Sequence, residues 1–233
     1  MATSLHQQLK AHYIDDEQQH EVVVDGYRID AVDEQGRLIE IQCATLSSIR
    51  DKIRTLLKSH DVIVAKPLAA RKRISTKKRR NGKIVSSRYS PTRQKLSWLF
   101  LELVHFMTVF PHPRLRLDIL MTEQEEIRVP PTSRSSWRKK YSVQDRLLTE
   151  LQEQICLSTP TDLWNALRLD ERLLSHHPDG FTTAELAECA DMPRWLAQKA
   201  AYCFRAMGML NPAGKQGNSV VYEYTGMPIE RAA

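Results

Sequence analysis

An α/β fold with a mixed sheet, followed by a mainly α C-terminal domain, is what the sequence predicts. Two observations carry that expectation. Between Glu21 and Cys43, short β-forming runs are separated by two tight-turn signals, and a helical stretch then leads to the unbroken apolar run Asp61 to Ala65. From Val143 onward the texture changes to helical spacing. The 233 residues suffice for two small domains, each with its own core. The expected division is 1–129, a linker over 130–142 marked by Pro130-Pro131-Thr132-Ser133, and 143–233.

Taken in order, Ser4 to Tyr13 reads as a short helix with Leu5, Leu9 and Tyr13 on one side. Asp25-Gly26, between Val22-Val23-Val24 and Tyr27-Arg28-Ile29, is a dipeptide suited to a two-residue type I′ hairpin. Glu34-Gln35-Gly36 fits a three-residue loop whose last residue is left-handed. Ser47 or Ser48 can cap a helix reaching about Ser59, with Asp51 as the capping-box partner of Ser48. The run Asp61 to Ala65 then predicts a central strand, buried on both faces and parallel to the third strand. Arg71 to Pro91 is polar and aperiodic and reads as part of a basic loop over 66–95. Lys95 to Val109 is expected as a buried helix ended by Pro111 and Pro113, with two further strands at Arg114 to Leu120 and Glu126 to Val129.

In the C-terminal part, helices are expected at Val143 to Cys156, at Thr161 to Leu169, after Thr182 or Thr183, and after Pro193. The last has an inward stripe of Leu196, Ala200, Cys203, Phe204 and Met207, with Gly208 as the stop; Trp195 is read as a core anchor in preference to a docking residue. A turn over Gly214 to Asn218 leads to a strand at Ser219 to Tyr224. Helix, turn, helix and basic hairpin is the order of a winged helix.

Lys and Arg number 34 against 28 Asp and Glu, with a pI near 9.2. The excess is uneven: twelve basic residues and no acidic one lie between Lys66 and Lys95, which favours a polyanionic partner. Cys43, Cys156, Cys189 and Cys203 show no C-x-x-C spacing, which argues against zinc and fits a reducing, cytoplasmic setting. The most apolar window, Leu96 to Phe110, contains Glu102 and His105 and is too short to span a bilayer, so no membrane association is expected.

The two turns also fix a register. A two-residue turn at Asp25-Gly26 sets Glu21 opposite Asp30, and a three-residue turn at Glu34 to Gly36 sets Asp30 opposite Glu40. Gln42 follows on the same face, while Ile29, Ala31, Ile39 and Ile41 form the core face. Three side-by-side carboxylates repel one another unless a hard divalent cation, Mg²⁺ or Mn²⁺, lies among them.

Asp30, then Glu40-Ile41-Gln42, then a helix and the apolar strand, resembles the PD-(D/E)xK nuclease superfamily, and is closest to a bacterial group that adds a C-terminal winged helix. The resemblance covers roughly Ser4 to Ala65. It implies that Asp30 and Glu40 bind the metal and that the third motif position orients the attacking water. Gln42 stands where the superfamily has lysine, and the first helix carries no glutamate. From register, Glu21 is a candidate further ligand. Lys52, at the border of the apolar arc of its helix, is a candidate replacement for the lysine.

Arg71, Lys72 and Arg73, with Lys77, Lys78, Arg79 and Arg80, are candidate phosphate contacts. In the C-terminal domain, Arg194, Gln198, Lys199, Tyr202 and Arg205 are candidates for the major groove and Lys215 for a backbone phosphate, with protein docking or dimerisation as the alternative use of this domain. The expected activity is metal-dependent phosphodiester hydrolysis, with DNA favoured over RNA. The alternative is a catalytically inactive nucleic-acid-binding or regulatory protein on the same scaffold. Homodimerisation is left open.

Overall fold

A computed structural model describes residues 3–14, 16–131 and 140–226. The first hairpin closes on two consecutive left-handed residues: Asp25 and Gly26 have φ of +50° and +78°, as a type I′ turn requires. They join β1 (His20–Val24) to β2 (Tyr27–Val32) in antiparallel register, from Val24 opposite Tyr27 to His20 opposite Ala31. The second turn is built around Asp33. Its Oδ1 accepts the amides of Gln35 (3.0 Å) and Arg37 (2.8 Å), its Oδ2 accepts Arg37 Nε (2.7 Å), and Gly36 takes φ +76°. β3 (Leu38–Ile41) then pairs with β2, with Ala31 opposite Ile39. Both turns match expectation because each is specified by a few contiguous residues.

Helix α1 (Ser4–Tyr13) precedes this meander, and the Thr3 hydroxyl accepts the His6 amide at its start. Helix α2 (Arg50–Leu56) follows it. The N-cap of α2 is Ile49, not a serine, and it makes no side-chain cap bond. A 3₁₀ turn at Leu46–Ser48 runs into α2, Ser48 Oγ donates to the Thr45 carbonyl (2.7 Å), and Asp51 pairs with Arg54 (2.8 Å).

Strand β4 (Val62–Lys77) is sixteen residues long, and Val62 to Ala69 are all buried. It does not end at Ala65. Where a basic loop was expected, β4 continues to Lys77 and turns back as the antiparallel β5 (Ile84–Tyr89), with Arg73 opposite Tyr89 and Ser75 opposite Ser87. The reason lies across the sheet on β6 (Leu115–Val129), whose carboxylates meet the basic residues. Arg71 faces Glu123 (3.4 Å), Lys72 faces Glu126 (3.7 Å) and Arg73 faces Glu125 (3.5 Å). β6 is one strand where two were expected. The expected helix over Lys95 to Val109 is a 3₁₀ turn (Leu96–Leu99) followed by one helical turn, α3 (Phe100–Leu103).

The largest departure is β7 (Ser142–Leu157), a strand where a helix was expected. Leu147, Leu148, Leu151 and Ile155 fit helical spacing, but tertiary pairing overrides that pattern. Arg146 reaches Glu126 (3.2 Å) and Gln152 reaches Glu123 (3.0 Å), both on β6. At Leu148 the Gln8 side chain imitates a peptide: Nε2 donates to the Leu148 carbonyl (3.3 Å) and Oε1 accepts its amide (2.8 Å). Seven strands form one mixed sheet in the order β1-β2-β3-β4-β6-β7, with β5 also on β4. Of the expected linker, residues 132–139 lie outside the described residues.

By contacts the chain forms two compact units that interleave along the sequence. The first comprises Met1–Cys43, Ala65–Lys95 and Ile119–Gln154; the second comprises Ala44–Val64, Leu96–Asp118 and Ile155–Ala233. In the second unit, α4 (Pro160–Ala166) starts at a capping box between Thr159 and Asp162, and a π turn (Asp170–Leu174) leads on to β8 (Phe181–Thr182). α5 (Thr183–Cys189) begins at a second box between Thr182 and Glu185. α6 (Arg194–Ala206) buries Leu196, Ala197, Ala200, Cys203 and Phe204, and Gly208 follows at φ +79°. β9 (Leu210–Gln216) and β10 (Ser219–Tyr224) complete a three-stranded sheet in the order β8-β10-β9. Its aromatic core has Trp164 stacked on Tyr224 (4.4 Å) and edge-on to Phe204 (5.0 Å). Among the described residues, no helix is long and apolar enough to cross a membrane.

Candidate functional site: an acidic centre and two basic surfaces

Ala31 lies opposite Ile39, and both belong to the buried face with Ile29 and Ile41. The next residues in that register are Asp30 and Glu40, on the other face of neighbouring strands. Here the side chain joins the ladder: the Ile41 amide donates to Asp30 Oδ2 (2.7 Å). His6 of α1 places Nε2 3.2 Å from the same carboxylate. Burial pushes the Asp30 pKa up. The hydrogen bond from His6, the Ile41 amide and the charges of His6 and Lys10 outweigh it, and the carboxyl is held below its ordinary range. His6 moves the opposite way: its hydrogen bond to Asp30 raises it against the effect of burial.

Glu21, at φ +58°, turns to Lys10 Nζ (2.5 Å) and to the Arg28 guanidinium. The Lys10 hydrogen bond, more than any other influence, lowers its pKa. The three expected metal ligands therefore do not gather. Asp30 and Glu21 are balanced by the chain's own cations, and among the described residues no group of three or more His, Cys, Asp or Glu is arranged to hold a metal.

Gln42 is buried, and its backbone amide donates to the Ala65 carbonyl (2.8 Å). Lys66, the next residue on β4, is only 5% exposed. Burial pushes the neighbouring Cys43 thiol up to about 11, opposed by the positive charges of Lys66 and Arg146. Lys52 lies half-buried on α2, in the other compact unit from Asp30, Glu40 and Gln42. Sequence reasoning passed over His6, Lys10 and Lys66. The available signals were the i, i+4 spacing of His6 and Lys10 beside the Leu5 and Leu9 stripe, and one lysine inside an apolar run.

The His6–Asp30 pair has a definite pH signature. A raised His6 contributes stability that is complete below its ordinary pKa of 6.5 and is lost as pH rises through the raised value. A lowered Asp30 contributes stability present above its ordinary 3.8 and lost as pH falls through the lowered value. Both contributions are therefore present between those two ordinary values. His6→Ala is expected to cost about 2 kcal/mol there and less at either side. Denaturant unfolding at a series of pH values measures this; a cost independent of pH would refute the pairing.

The basic hairpin divides into two parts. Arg71, Lys72 and Arg73 are paired with β6 carboxylates, and Arg71 also lies over the Tyr89 ring at 4.0 Å. At the tip, Lys78, Arg79, Arg80 and Lys83 are exposed and Lys77 is half-buried. Among the described residues none of these five has an ion pair.

On α6, Arg194 and Gln198 are exposed, Lys199 is half-buried, and Arg194 donates to Ser219 Oγ on β10 (3.1 Å). Lys215 is exposed on β9. Trp195 is 49% exposed, and so is not part of the core in which its hydrophobicity places it. It occupies the outward side of α6 because Leu196 and Ala197 supply the inward contacts.

A family profile described as a domain of unknown function, DUF8091, matches residues 3–158, two thirds of the chain. The chain belongs to that family. The DUF8091 match runs from the cap of α1 to the residue after β7, and so spans every strand of the large sheet. Similarity to a Treponema pallidum (strain Nichols) protein, described as uncharacterized, extends further: 27% identity over 220 residues, covering 94% of this chain and 84% of that one. No solved structure matches.

Proposed function

We propose that this DUF8091 chain is a nucleic-acid-binding protein, with duplex DNA as its main partner, built on a PD-(D/E)xK-type core and a winged helix. The observation that carries this reading is the cationic tip of the β4–β5 hairpin, which has no ion pair among the described residues. A two-stranded ribbon fits the major groove of duplex DNA, and cations without carboxylate partners are available to phosphates. The core assignment is supported by the element order α1, β1-β2-β3, α2, β4, the sheet order β1-β2-β3-β4, and adjacent Asp30 and Glu40. The winged-helix assignment is supported by the order α4, β8, α5, α6, β9, β10 with β10 between its two partners.

Titration of labelled duplex DNA tests the reading. Affinity is expected to fall steeply with salt, with a slope of log K against log salt of about −0.9 for each phosphate engaged. Absence of binding, or a flat slope, would overturn it.

Hydrolysis is the second reading, favoured by the neighbouring Asp30 and Glu40 and by Lys66 adjoining the Ala65–Gln42 bond. The same duplex incubated with Mg²⁺ or Mn²⁺ decides it. Cleavage that disappears in both Asp30→Ala and Glu40→Ala supports an enzyme. Intact substrate, or cleavage that survives both changes, leaves a binding protein.

A further inference from the structure

Helix α6 carries three cations and no acidic residue in thirteen positions. Its outward arc holds Arg194, Trp195, Gln198, Lys199, Tyr202 and Arg205. Trp195 is 49% and Tyr202 53% exposed, and among the described residues neither ring stacks on another. Seven residues apart, the two rings lie within about 20° of each other around the helix and about 10 Å apart along it. Lys199 borders them on one side, and Arg194, Gln198 and Arg205 lie on the other. The Arg194 guanidinium is held against β10 by Ser219.

A helix that reads duplex base edges does so with polar side chains of fixed hydrogen-bonding pattern. Two exposed rings make a poor reader of that kind, because a paired base in a stack offers them only its edge. Unpaired bases offer a π-face, and every base has one. The surrounding charge is of one sign and suits the phosphates between successive bases.

We propose that the outward face of α6 binds single-stranded nucleic acid, with unpaired bases stacked on Trp195 and Tyr202 and phosphates on Arg194, Lys199 and Arg205. This rests on the nucleic-acid reading above and adds a strandedness to it: the hairpin tip engages duplex, and α6 engages unpaired strand.

The test uses the full chain and two labelled probes, an oligothymidylate and a duplex without overhangs. Trp195→Ala and Tyr202→Ala are each expected to weaken oligothymidylate binding about tenfold. Duplex affinity should be unchanged, as should the salt slope for the single strand, since no charge is removed. Trp195→Phe should retain most of the single-strand affinity, because it keeps a ring. Both side chains are half-exposed, so thermal unfolding should not move.

Unchanged oligothymidylate affinity in the double alanine variant would overturn this proposal while leaving the duplex reading in place. Equal losses on both probes would also overturn it. A shift between monomer and dimer on sedimentation, without loss of single-strand affinity, would assign the face to a second copy instead. Failure of the unmodified chain to bind either probe would remove the underlying nucleic-acid reading first.

Discussion

Replacing Lys77, Lys78, Arg79 and Arg80 together with glutamine is expected to reduce duplex affinity on the order of a thousandfold near 0.1 M salt. Each phosphate contact adds about 0.9 to the salt slope, so loss of four should flatten it by about 3–4. Stability should hardly change, since three of these side chains are exposed and none is ion-paired among the described residues. Arg71→Gln with Arg73→Gln is the informative control. Those charges already face Glu123 and Glu125, so their removal should cost less than about tenfold. Fluorescence anisotropy over a salt series separates the two. Equal losses would mean that the whole strand, and not its tip, contacts the backbone.

Glu126→Gln is expected to destabilise the fold by about 3 kcal/mol at neutral pH. Its side chain is 3% exposed and faces three cations: Arg128 at 2.6 Å, Arg146 at 3.2 Å and Lys72 at 3.7 Å. These come from β4, β6 and β7, so one carboxylate ties three adjacent strands together. Burial pushes its pKa up, but the Arg128 hydrogen bond and the charges of Lys72 and Arg128 prevail, and the net shift is downward. A lowered pKa contributes stability above the ordinary value of 4.5, which is lost as pH falls through the lowered one. The stability gap between the unmodified chain and the Glu126→Gln variant, followed by urea unfolding, should therefore close in acid. A gap that stayed constant down to low pH would show that packing, and not charge, is at work.

The parts of the fold visible in the sequence are those specified locally. Asp25-Gly26 and Glu34 to Gly36 each carry their own turn geometry, and from them the register that brings Asp30 beside Glu40 follows. The parts hidden are specified across space. The basic half of β4 is extended because Glu123, Glu125 and Glu126 stand on the strand beside it, and nothing near Arg71 in the chain says so. β7 has leucines at helical spacing and becomes a strand only because β6 offers it an edge. The acidic centre is partly legible for the same reason. Its carboxylates sit on turn-defined strands, whereas His6 and Lys10, which neutralise two of them, belong to a helix whose apolar stripe is readable but whose partners across space are not named by its own residues. Hydrophobicity alone places Trp195 inward, although its neighbours Leu196 and Ala197 already fill that side.

The Gln8 amide on Leu148 has a consequence for how copies of this chain meet. β7 is the outermost strand of the sheet, and a sixteen-residue border with unsatisfied peptide groups would invite a strand from another molecule. With both the donor and the acceptor of Leu148 already taken, an incoming chain finds the middle of that border blocked and would have to displace a helix residue to continue past it. Uncontrolled edge-to-edge association is thereby discouraged by one uncharged side chain.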